Sequence, residues 1–382
     1  MRIAYVINSV EGGGAASPVP AVVGVMRDHG ADVRVFGLTL RDGRALPAMH
    51  AAGLTVDVRQ GGERDHVAAL RWLDRAVVDW QPSLIWTSLT RATLLGQIVG
   101  LRRAVPVVSW QHAAYLKPAN RILLRAAQSQ SALWIGDSHS ISALTAERLH
   151  VPANRIATWP LFAADVAAPQ APPWQPGEPL RLGTLGRLHS VKGHDILVMA
   201  LARMRAQGFV PPVPFTVDIA GEGSGRAETE AALAAARIDN VRLVGFTDQP
   251  RTFLAGLHLY LQPSRSEGLC IAAHEAMQAG LPTIVSAVGE LPYSVVEGTT
   301  GLIVPPGDPD ALAGAIRRLL LRPDRLAAMG TAARTRVLAR FGATAFAAAG
   351  ADVMRRLPVA FANDRDAGRH RSPGQVPIDR SA

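Results

Sequence analysis

A chain of 382 residues is long enough for two domains that each bury a core of their own. Its 48% hydrophobic and 19% charged content excludes a largely disordered protein, and no apolar run approaches the ~20 residues of a membrane-spanning helix. The net charge is +9, but the 40 basic residues include only two lysines, Lys117 and Lys192, which indicates a compositional bias of the source. No zinc-finger spacing, aromatic RNA-binding signature or basic heptad region accompanies this charge, so we expect no nucleic-acid partner.

The amino terminus and the cysteine content bear on the compartment. The opening MRIAYVINS predicts a strand and lacks a cationic segment followed by an apolar one, so no signal peptide is expected. Cys270 is the only cysteine, which excludes a disulfide within the chain and fits a reducing compartment. We therefore expect a cytoplasmic protein.

The first half of the chain alternates strands and helices. Apolar runs predict strands at RIAYVI, DVRVFGL, SLIWTS, VPVVSW and ALWIGDS. The loop EGGGAA follows the first strand, and Ser17-Pro18 can cap and start a helix that ends near Gly30. This alternation predicts a parallel sheet with helices on both faces, in a domain spanning residues 1–166.

A proline-rich stretch, residues 167–179, predicts an interdomain linker. After it the pattern restarts, with strands at LRLGTLG, FTVDIAG, NVRLVGF, LHLYLQP, PTIVSA and GLIVPP. Helices are predicted near 193–207, 226–236, 269–279 and 308–321. A second doubly wound domain is therefore expected over 180–340. A last helix over 341–358 is predicted to cross back to the first domain, and the polar residues 359–382 are predicted to be a disordered tail.

The stretch SRSEGLCIAAHEAM contains the first candidate site. Glu267 and Gly268 lie in a loop between a strand and a helix, and Glu275 lies two turns inside that helix. A helix amino terminus offers unpaired N–H groups and partial positive charge, and the glycine admits a ligand close to the backbone. Two carboxylates flanking an anion site could hold hydroxyl groups on either side of a diphosphate. Incidental glutamates on a solvated helix are the alternative.

The segment GRLHSVKGHDIL supplies two candidate cations. Arg187 follows a predicted strand, and Lys192 lies at the start of the next helix. Both could neutralise the charge on a departing diphosphate. Ordinary surface cations are the alternative, but a chain that uses arginine almost everywhere keeps a lysine at 192, which favours a role for a compact point charge.

Other loops give weaker signals. The glycines of EGGGAA, Gly13 and Gly14 among them, and those of GEGSG at 221–225, let backbone approach a ligand or simply form tight turns. His112 follows a strand and faces the expected cleft, although a lone histidine is more often structural. Trp110 and Tyr115 could stack on a sugar or fill core.

No metal site is expected from the acidic pairs. Asp308 and Asp310 are predicted to cap a helix, and Asp364 and Asp366 fall in the tail, so neither pair follows an apolar strand. Cys270 is interpreted as a packing residue, because no histidine base can be placed beside it. No cofactor is expected.

Together these motifs resemble the retaining glycosyltransferases of family 4, which have the GT-B fold. The resemblance runs from the amino-terminal glycine loop to about residue 357, and it is strongest between Leu182 and Asp310. GRLHSVKGHDIL is similar to that family's Gly-Arg-Leu…Lys-Gly segment. The stretch from Pro263 to Ile316 follows the family's glutamate, seven residues, glutamate signature.

The resemblance assigns roles to named residues. It implies that Glu275 holds the ribose, Glu267 the donor sugar, and Arg187 and Lys192 the diphosphate. A list of further donor-side residues follows from the same motifs: Gly13, Gly14, Phe246 beside the base, Gly268, Leu269 and Cys270. His112 resembles the family's histidine that contacts the transferred sugar. Lys192, Arg187, Glu267 and His112 are thus the catalytic candidates, and no metal is implied.

The sequence departs from the family at three places. EGLC replaces Glu-Gly-Phe-Gly, PLFAAD replaces Asn-Gly-Val-Asp before the linker, and the strand before the signature begins LH rather than Ala-Asp. Leu269 and Cys270 therefore bring side chains to a position where backbone usually meets the ligand, which puts the fit of the donor sugar in question.

The sequence favours a metal-independent, retaining hexosyltransferase of polysaccharide or glycoconjugate biosynthesis. Its expected partners are a nucleotide diphosphate sugar and a glycan or lipid-linked acceptor. Two alternatives stay open: a nucleotide-sugar epimerase on the same fold, and a non-catalytic partner that binds sugar nucleotides. The segment YLKPANRILLRAAQ interleaves Lys117, Arg121 and Arg125 with leucines, which predicts peripheral contact with the inner face of a membrane.

Overall fold

The computed structural model describes residues 1–112 and 114–358. The predicted tail, 359–382, lies outside the described residues, together with Asp364 and Asp366. Two parallel sheets, each flanked by helices, make up the described chain. This confirms the predicted α/β architecture of two doubly wound domains.

The first sheet has seven parallel strands in the order β3-β2-β1-β4-β5-β6-β7. Its strands are β1 (Arg2–Ile7), β2 (Asp32–Gly37), β3 (Thr55–Val58), β4 (Leu84–Ser88), β5 (Val107–Gln111), β6 (Leu133–Gly136) and β7 (Ile156–Thr158). Its helices are α1 (Val19–Asp28), α2 (Leu46–Ala51), α3 (His66–Trp80), α4 (Thr90–Arg103), α5 (Pro118–Ala126) and α6 (His139–Leu149). The central strands are nearly continuous apolar runs because helices cover both of their faces.

The second sheet has six parallel strands in the order β10-β9-β8-β11-β12-β13. Its strands are β8 (Leu180–Leu185), β9 (Phe215–Ala220), β10 (Val241–Gly245), β11 (Leu259–Gln262), β12 (Thr283–Ser286) and β13 (Gly301–Val304). Its helices are α7 (His194–Ala206), α8 (Arg226–Ala235), α9 (Pro250–Ala255), α10 (Ile271–Gln278), α11 (Leu291–Ser294), α12 (Pro309–Leu320) and α13 (Leu326–Phe341).

The end of the described chain returns to the first domain. Gly342 pairs with Ala164, and the helix after it, α14 (Ala343–Arg355), packs against α1 and β7. Phe346 of α14 lies 5.4 Å from Trp159, which belongs to a buried cluster with Trp86 and Trp110. The core of the first domain is therefore completed by residues that follow the second domain in the sequence.

The structure differs from the expected elements at several places. Helix α13 was not predicted, because one glycine and two threonines interrupt its apolar pattern. Gly330 in that helix lies against Gly280, where a Cβ would come within 1.9 Å of the Gly280 carbonyl oxygen. The short strands β3 and β7 were also missed. The Ser17 cap was wrong: α1 begins at Val19 without a side-chain cap, and Ser17 belongs to a turn that starts at Gly13.

Candidate functional site

Lys192 and Glu267 meet at the carboxyl ends of the second sheet. Lys192 follows β8, and its Nζ donates a hydrogen bond of 2.8 Å to Oε1 of Glu267, in the loop after β11. Burial alone would lower the pKa of Lys192, but the nearby Cys270 and Glu267 raise it above its ordinary value. Burial raises the pKa of the Cys270 thiol, which is therefore neutral, so Glu267 is the effective counter-charge. The site contains a charged, ordered pair.

A polar chain within the core orients Glu267. Ser264 Oγ donates to Glu267 Oε1 at 2.6 Å, and Gln262 Nε2 donates to the same oxygen at 3.2 Å. Tyr260 in turn donates its hydroxyl proton to Gln262 Oε1 at 2.7 Å. The side chain of Glu267 is therefore held by three donors, and its second oxygen, Oε2, makes none of these bonds.

Glycines bring the two charged loops together. Gly193, with φ +69°, lies so close to the Pro263 carbonyl that a Cβ would come within 2.0 Å of its oxygen. Gly221 and Gly223 are pressed in the same way against the carbonyl groups of Gly186 and Leu188. The glycines of GEGSG therefore support the loop that carries Arg187. The sequence was compatible with a ligand contact at these glycines, but in the structure Gly221 and Gly223 pack against backbone.

Helix α10 begins beside this pair. Cys270 is its N-cap residue and has φ +64°, a left-handed conformation that disfavours any residue except glycine. Leu269 and Cys270 are both buried. Within the described residues no side-chain hydrogen bond holds the Glu275 carboxylate, and burial raises its pKa despite the opposing charge of Arg251. This desolvated acceptor is free to take hydroxyl donors.

The first domain contributes His112 at the end of β5. Its Nε2 lies 2.7 Å from Ser88 Oγ, and burial lowers its pKa to about 3, so the imidazole is neutral. Asp137, at the end of β6, places Oδ2 3.8 Å from Nδ1 of His112. Burial raises the pKa of Asp137 well above its ordinary value. Among the described residues, Nδ1 of His112 and Oδ1 of Asp137 are buried polar atoms without a hydrogen-bond partner.

Asp137 was missed by the sequence analysis. Its signal was present, because it is a polar residue directly after an apolar strand, in the same relation to β6 as His112 to β5. The carboxyl ends of neighbouring parallel strands lie at one edge of the sheet, which is where ligands bind in open α/β folds.

The two domains touch at the loop between β11 and α10, which carries Glu267 and Gly268. A Cβ on Gly268 would come within 2.2 Å of the His112 carbonyl oxygen and 3.2 Å of Asp137 Oδ2. Gly268 was expected to admit a ligand. In this closed arrangement it admits the backbone of the first domain instead.

The amino-terminal glycine loop also faces the second domain. The position of a Cβ on Gly14 lies 3.5 Å from the side chain of Ile271 in α10, while Gly13 has open space around it. Glu11 of this loop forms an ion pair with Arg41 and lies 3.8 Å from Arg187. The loop and Arg187 thus border the same part of the cleft.

Phe246, expected beside a nucleobase, is half-exposed after β10. The guanidinium of Arg44, from the first domain, lies over its ring at 3.7 Å from the centroid. A cation over an aromatic face is a favourable contact. One face of Phe246 is therefore covered by the first domain.

Some expected site residues lie elsewhere. Trp110 is fully buried and stacks on Trp159, so it fills core and does not stack on a sugar. Tyr115 is exposed beside α5. Asp308 caps α12 by accepting from the amides of Asp310 and Ala311, both at 2.9 Å, as predicted. Among the described residues, no group of three or more His, Cys, Asp or Glu side chains is arranged to hold a metal ion.

Two cavities lie outside this site. One of about 290 Å³ is bordered by the linker at Trp174 and by His258 and Arg334. The other, of about 420 Å³, lies beside Thr247 and Asp248. Neither is lined by Lys192, Glu267 or His112.

Comparison with known proteins points to one class of enzyme. Residues 179–322 match the family model described as Glycosyl transferases group 1. The chain is 36% identical over 180 residues to D-inositol 3-phosphate glycosyltransferase 2 of Catenulispora acidiphila. It is 30% identical over 173 residues to the amylovoran biosynthesis glycosyltransferase AmsK of Erwinia amylovora. These alignments cover 45% and 43% of this chain and 42% of each relative, so the chain spans less than half the length of these relatives.

Solved structures resemble the whole described chain. The structure of Anabaena HepE in complex with UDP-glucose matches with a TM-score of 0.80 and 20% identity, over 94% of this chain and 100% of that chain. At this identity the match shows a shared fold. The two-domain arrangement of parallel sheets is that of GT-B glycosyltransferases, as predicted.

Proposed function

We propose that this protein is a glycosyltransferase with a nucleotide diphosphate sugar as donor, because residues 179–322 match the Glycosyl transferases group 1 model and the chain has the GT-B fold. The observation that carries the proposal is the Lys192–Glu267 pair, with a 2.8 Å contact, beside the start of α10; Glu275 lies about one turn along that helix, and no side-chain hydrogen bond within the described residues holds its carboxylate. The positive charge of Lys192 suits the diphosphate. The oriented carboxylate of Glu267 suits the sugar, and the desolvated carboxylate of Glu275 suits the ribose.

We assign the chemistry to electrostatic stabilisation. In a retaining transfer, the bond between the anomeric carbon and the diphosphate breaks, and the acceptor oxygen bonds to that carbon on the same face. The acceptor proton passes to the departing diphosphate. Lys192, Arg187 and the N–H groups of the first turn of α10 stabilise the charge that develops on the leaving group. The neutral imidazole of His112 and the carboxylate of Glu267 bind sugar hydroxyl groups.

We propose that the transferred sugar is a hexose. UDP-glucose is the first donor to test because the HepE structure contains it. The names of the relatives, one acting on inositol 3-phosphate and one in amylovoran biosynthesis, favour a hydroxyl acceptor on a polyol or glycan. We propose turnover without a metal ion, with protein cations in its place. Turnover lost in chelator and restored by magnesium or manganese would contradict this.

A lipid-linked acceptor would bring the enzyme to a membrane. On α5, Ile122 and Leu123 are exposed, and Tyr115 is exposed just before it, while Lys117, Arg121 and Arg125 add positive charge to the same segment. Only Leu124 of this helix is buried. No helix in the described residues is long and apolar enough to span a bilayer. We propose a cytoplasmic enzyme that binds the inner face of the membrane through α5.

Binding to vesicles tests this surface. Wild-type protein should cosediment with vesicles that contain anionic lipid and should be released by salt. Ile122→Ser with Leu123→Ser should weaken binding, whereas the control Val67→Ser, at an exposed apolar position on α3, should not. Cosedimentation that is insensitive to anionic lipid or salt would remove the proposal.

A donor panel followed by turnover tests the function itself. UDP-, GDP- and ADP-sugars are screened for thermal stabilisation, since a ligand at a hundredfold excess over Kd stabilises by about 2.7 kcal/mol. The stabilising donor is then incubated with and without glycan, polyol and lipid-linked acceptors. Acceptor-dependent product with retained anomeric configuration is expected. Epimerised sugar without an acceptor would identify an epimerase, and binding without turnover would identify a non-catalytic partner.

A further inference from the structure

Glu290 bridges the two domains from inside the interface. It follows β12 in the second domain, and only 2% of its surface is exposed. Its Oε2 accepts from the backbone N–H of Ser140, in the first domain, at 3.3 Å. Its Oε1 accepts from Nη2 of Arg340 at 3.2 Å, and its own amide donates to the carbonyl of Gly268 at 3.0 Å. One side chain and its amide therefore join three segments.

The contact with Ser140 places a negative charge at a helix amino terminus. Ser140 lies in the first turn of α6, where N–H groups have no partner within the helix. Ser138 Oγ accepts a hydrogen bond from the N–H of Ile141, and the carboxylate of Glu290 accepts one from the N–H of Ser140. A carboxylate is favoured at this end by the helix dipole, and Arg340 balances it on the other side. The amino terminus of α6 faces this carboxylate only while the domains are together.

Glu290 also contacts the loop that carries Glu267 and Gly268. Gly289 has φ +58°, and a Cβ there would come within 2.4 Å of the carbonyl oxygen of Glu267 and 2.3 Å of that of Gly268. No side chain fits between the two loops. Displacement of Glu290 would therefore displace the backbone that aims Glu267.

The side chains of His112 and Glu267 are only 7% and 9% exposed in this arrangement, so a donor sugar would need domain opening to reach both. Gly268 lies against the His112 carbonyl, and Nδ1 of His112 and Oδ1 of Asp137 are buried without a hydrogen-bond partner among the described residues. The Glu290 contact with Arg340 lies within the second domain and can persist through opening. The contact with Ser140 crosses the interface and must break.

We propose that Glu290 is a positioning residue that latches the closed arrangement. It holds the Glu267–Gly268 loop against the first domain through the amino terminus of α6. The proposal rests on the proposed function for its kinetic effect, but its effect on domain closure does not depend on any activity.

Distance measurement between the domains tests the latch. Cysteines replace exposed Val67 in the first domain and exposed Val210 in the second, and spin labels are attached while buried Cys270 stays unlabelled. Distances are compared with and without UDP in the wild-type background, Glu290→Ala, Glu290→Gln and Glu297→Ala. Glu297 is the matched control because its carboxylate bonds Ile303 and Arg318, both within the second domain.

In Glu290→Ala we expect the ratio of closed to open molecules to fall about tenfold, the size of one hydrogen bond to a charged group. The turnover rate with the stabilising donor should fall by a similar factor, while UDP affinity changes less than threefold. Glu290→Gln keeps an oxygen that can accept from Ser140, so its closed-to-open ratio and its turnover rate should lie between those of the wild type and Glu290→Ala. Glu297→Ala should match the wild type.

Three results would overturn the latch. They are an unchanged distance distribution in Glu290→Ala, an equal shift in Glu297→Ala, and a loss of UDP affinity as large as the loss of turnover. If Glu290→Ala does not fold, Glu290→Gln is decisive, and wild-type distances with wild-type turnover would count against the proposal. If distances shift but the wild type transfers no sugar to any acceptor, the latch stands and the proposed function fails.

Discussion

Replacement of Lys192 by methionine keeps the stem of the side chain and removes its charge. In the structure Nζ donates to Glu267 at 2.8 Å, and the two side chains are 24% and 9% exposed. Loss of one partner of a buried ion pair commonly costs about 3–5 kcal/mol. Glu267 keeps the donors Ser264 and Gln262, and Lys192 is partly solvated, so we expect about 1.5–3 kcal/mol here.

The pH range of this effect follows from the direction of the pKa shift. The folded protein raises the pKa of Lys192, so the charged form is favoured on folding. Its contribution is fully present below the ordinary value of about 10.4 and is lost only as the pH rises through the folded pKa. The loss of stability in Lys192→Met should therefore be undiminished at neutral pH.

A double-mutant cycle separates stability from chemistry. Urea unfolding is measured for Lys192→Met, Glu267→Gln and the double variant, and Glu267→Gln should recover most of the stability that Lys192→Met loses. Turnover should not recover: loss of one preorganised stabilising group lowers kcat by about 10²–10³-fold. Lys192→Arg should restore only part of it, because a planar fork replaces a compact ammonium.

Single-turnover kinetics can refute this reasoning at two levels. A fully active Lys192→Arg would remove the argument from the scarcity of lysine in an arginine-rich chain. A fully active and fully stable Lys192→Met would mean that Lys192 is an ordinary cation and that the diphosphate lies elsewhere.

Three further predictions concern single side chains. Glu275→Ala should weaken UDP binding by about 1.5–3 kcal/mol in calorimetry, since the lost acceptor is charged, and unchanged affinity would contradict the ribose assignment. Gly268→Ala should leave UDP affinity intact but abolish transfer, because its Cβ would meet the His112 carbonyl at 2.2 Å; full activity would show that the active state is more open. His274→Gln should remove up to about 1.4 kcal/mol per pH unit from the rise of stability between pH 4 and 6.5. Burial lowers the pKa of His274 to about 4, so the unfolded chain binds the extra proton there, and an unchanged slope in urea unfolding would refute this.

The meeting of Lys192 and Glu267 was predictable because its signals are local in sequence. Lys192 follows one strand, and Glu267 follows another at the start of a helix, so chain order and strand ends suffice to bring them to one edge. Most strands of both sheets were predictable for a similar reason, since buried parallel strands are continuous apolar runs, whereas the short strands β3 and β7 lack such a run.

Contacts between the domains carry no such signal. Glu290 and Ser140 are 150 positions apart, and nothing near Glu290 indicates that its partner is a helix amino terminus in another domain. Arg44 over Phe246 is a similar case. Sequence patterns predict which residues reach the cleft, but the relative position of two domains decides which of them meet.

The space around Lys192 explains why this arginine-rich chain keeps a lysine there. A Cβ on Gly186 would lie 3.4 Å from Cε of Lys192, so the stem already runs at contact distance along the backbone that precedes Arg187. On its other side, Gly193 is pressed against the Pro263 carbonyl. A guanidinium is wider than an ammonium and would need to displace one of these loops, and both loops carry residues of the site. Gly186 and Gly193 let the two backbone segments pack closely, and Lys192 is narrow enough to bring a positive charge to Glu267 between them.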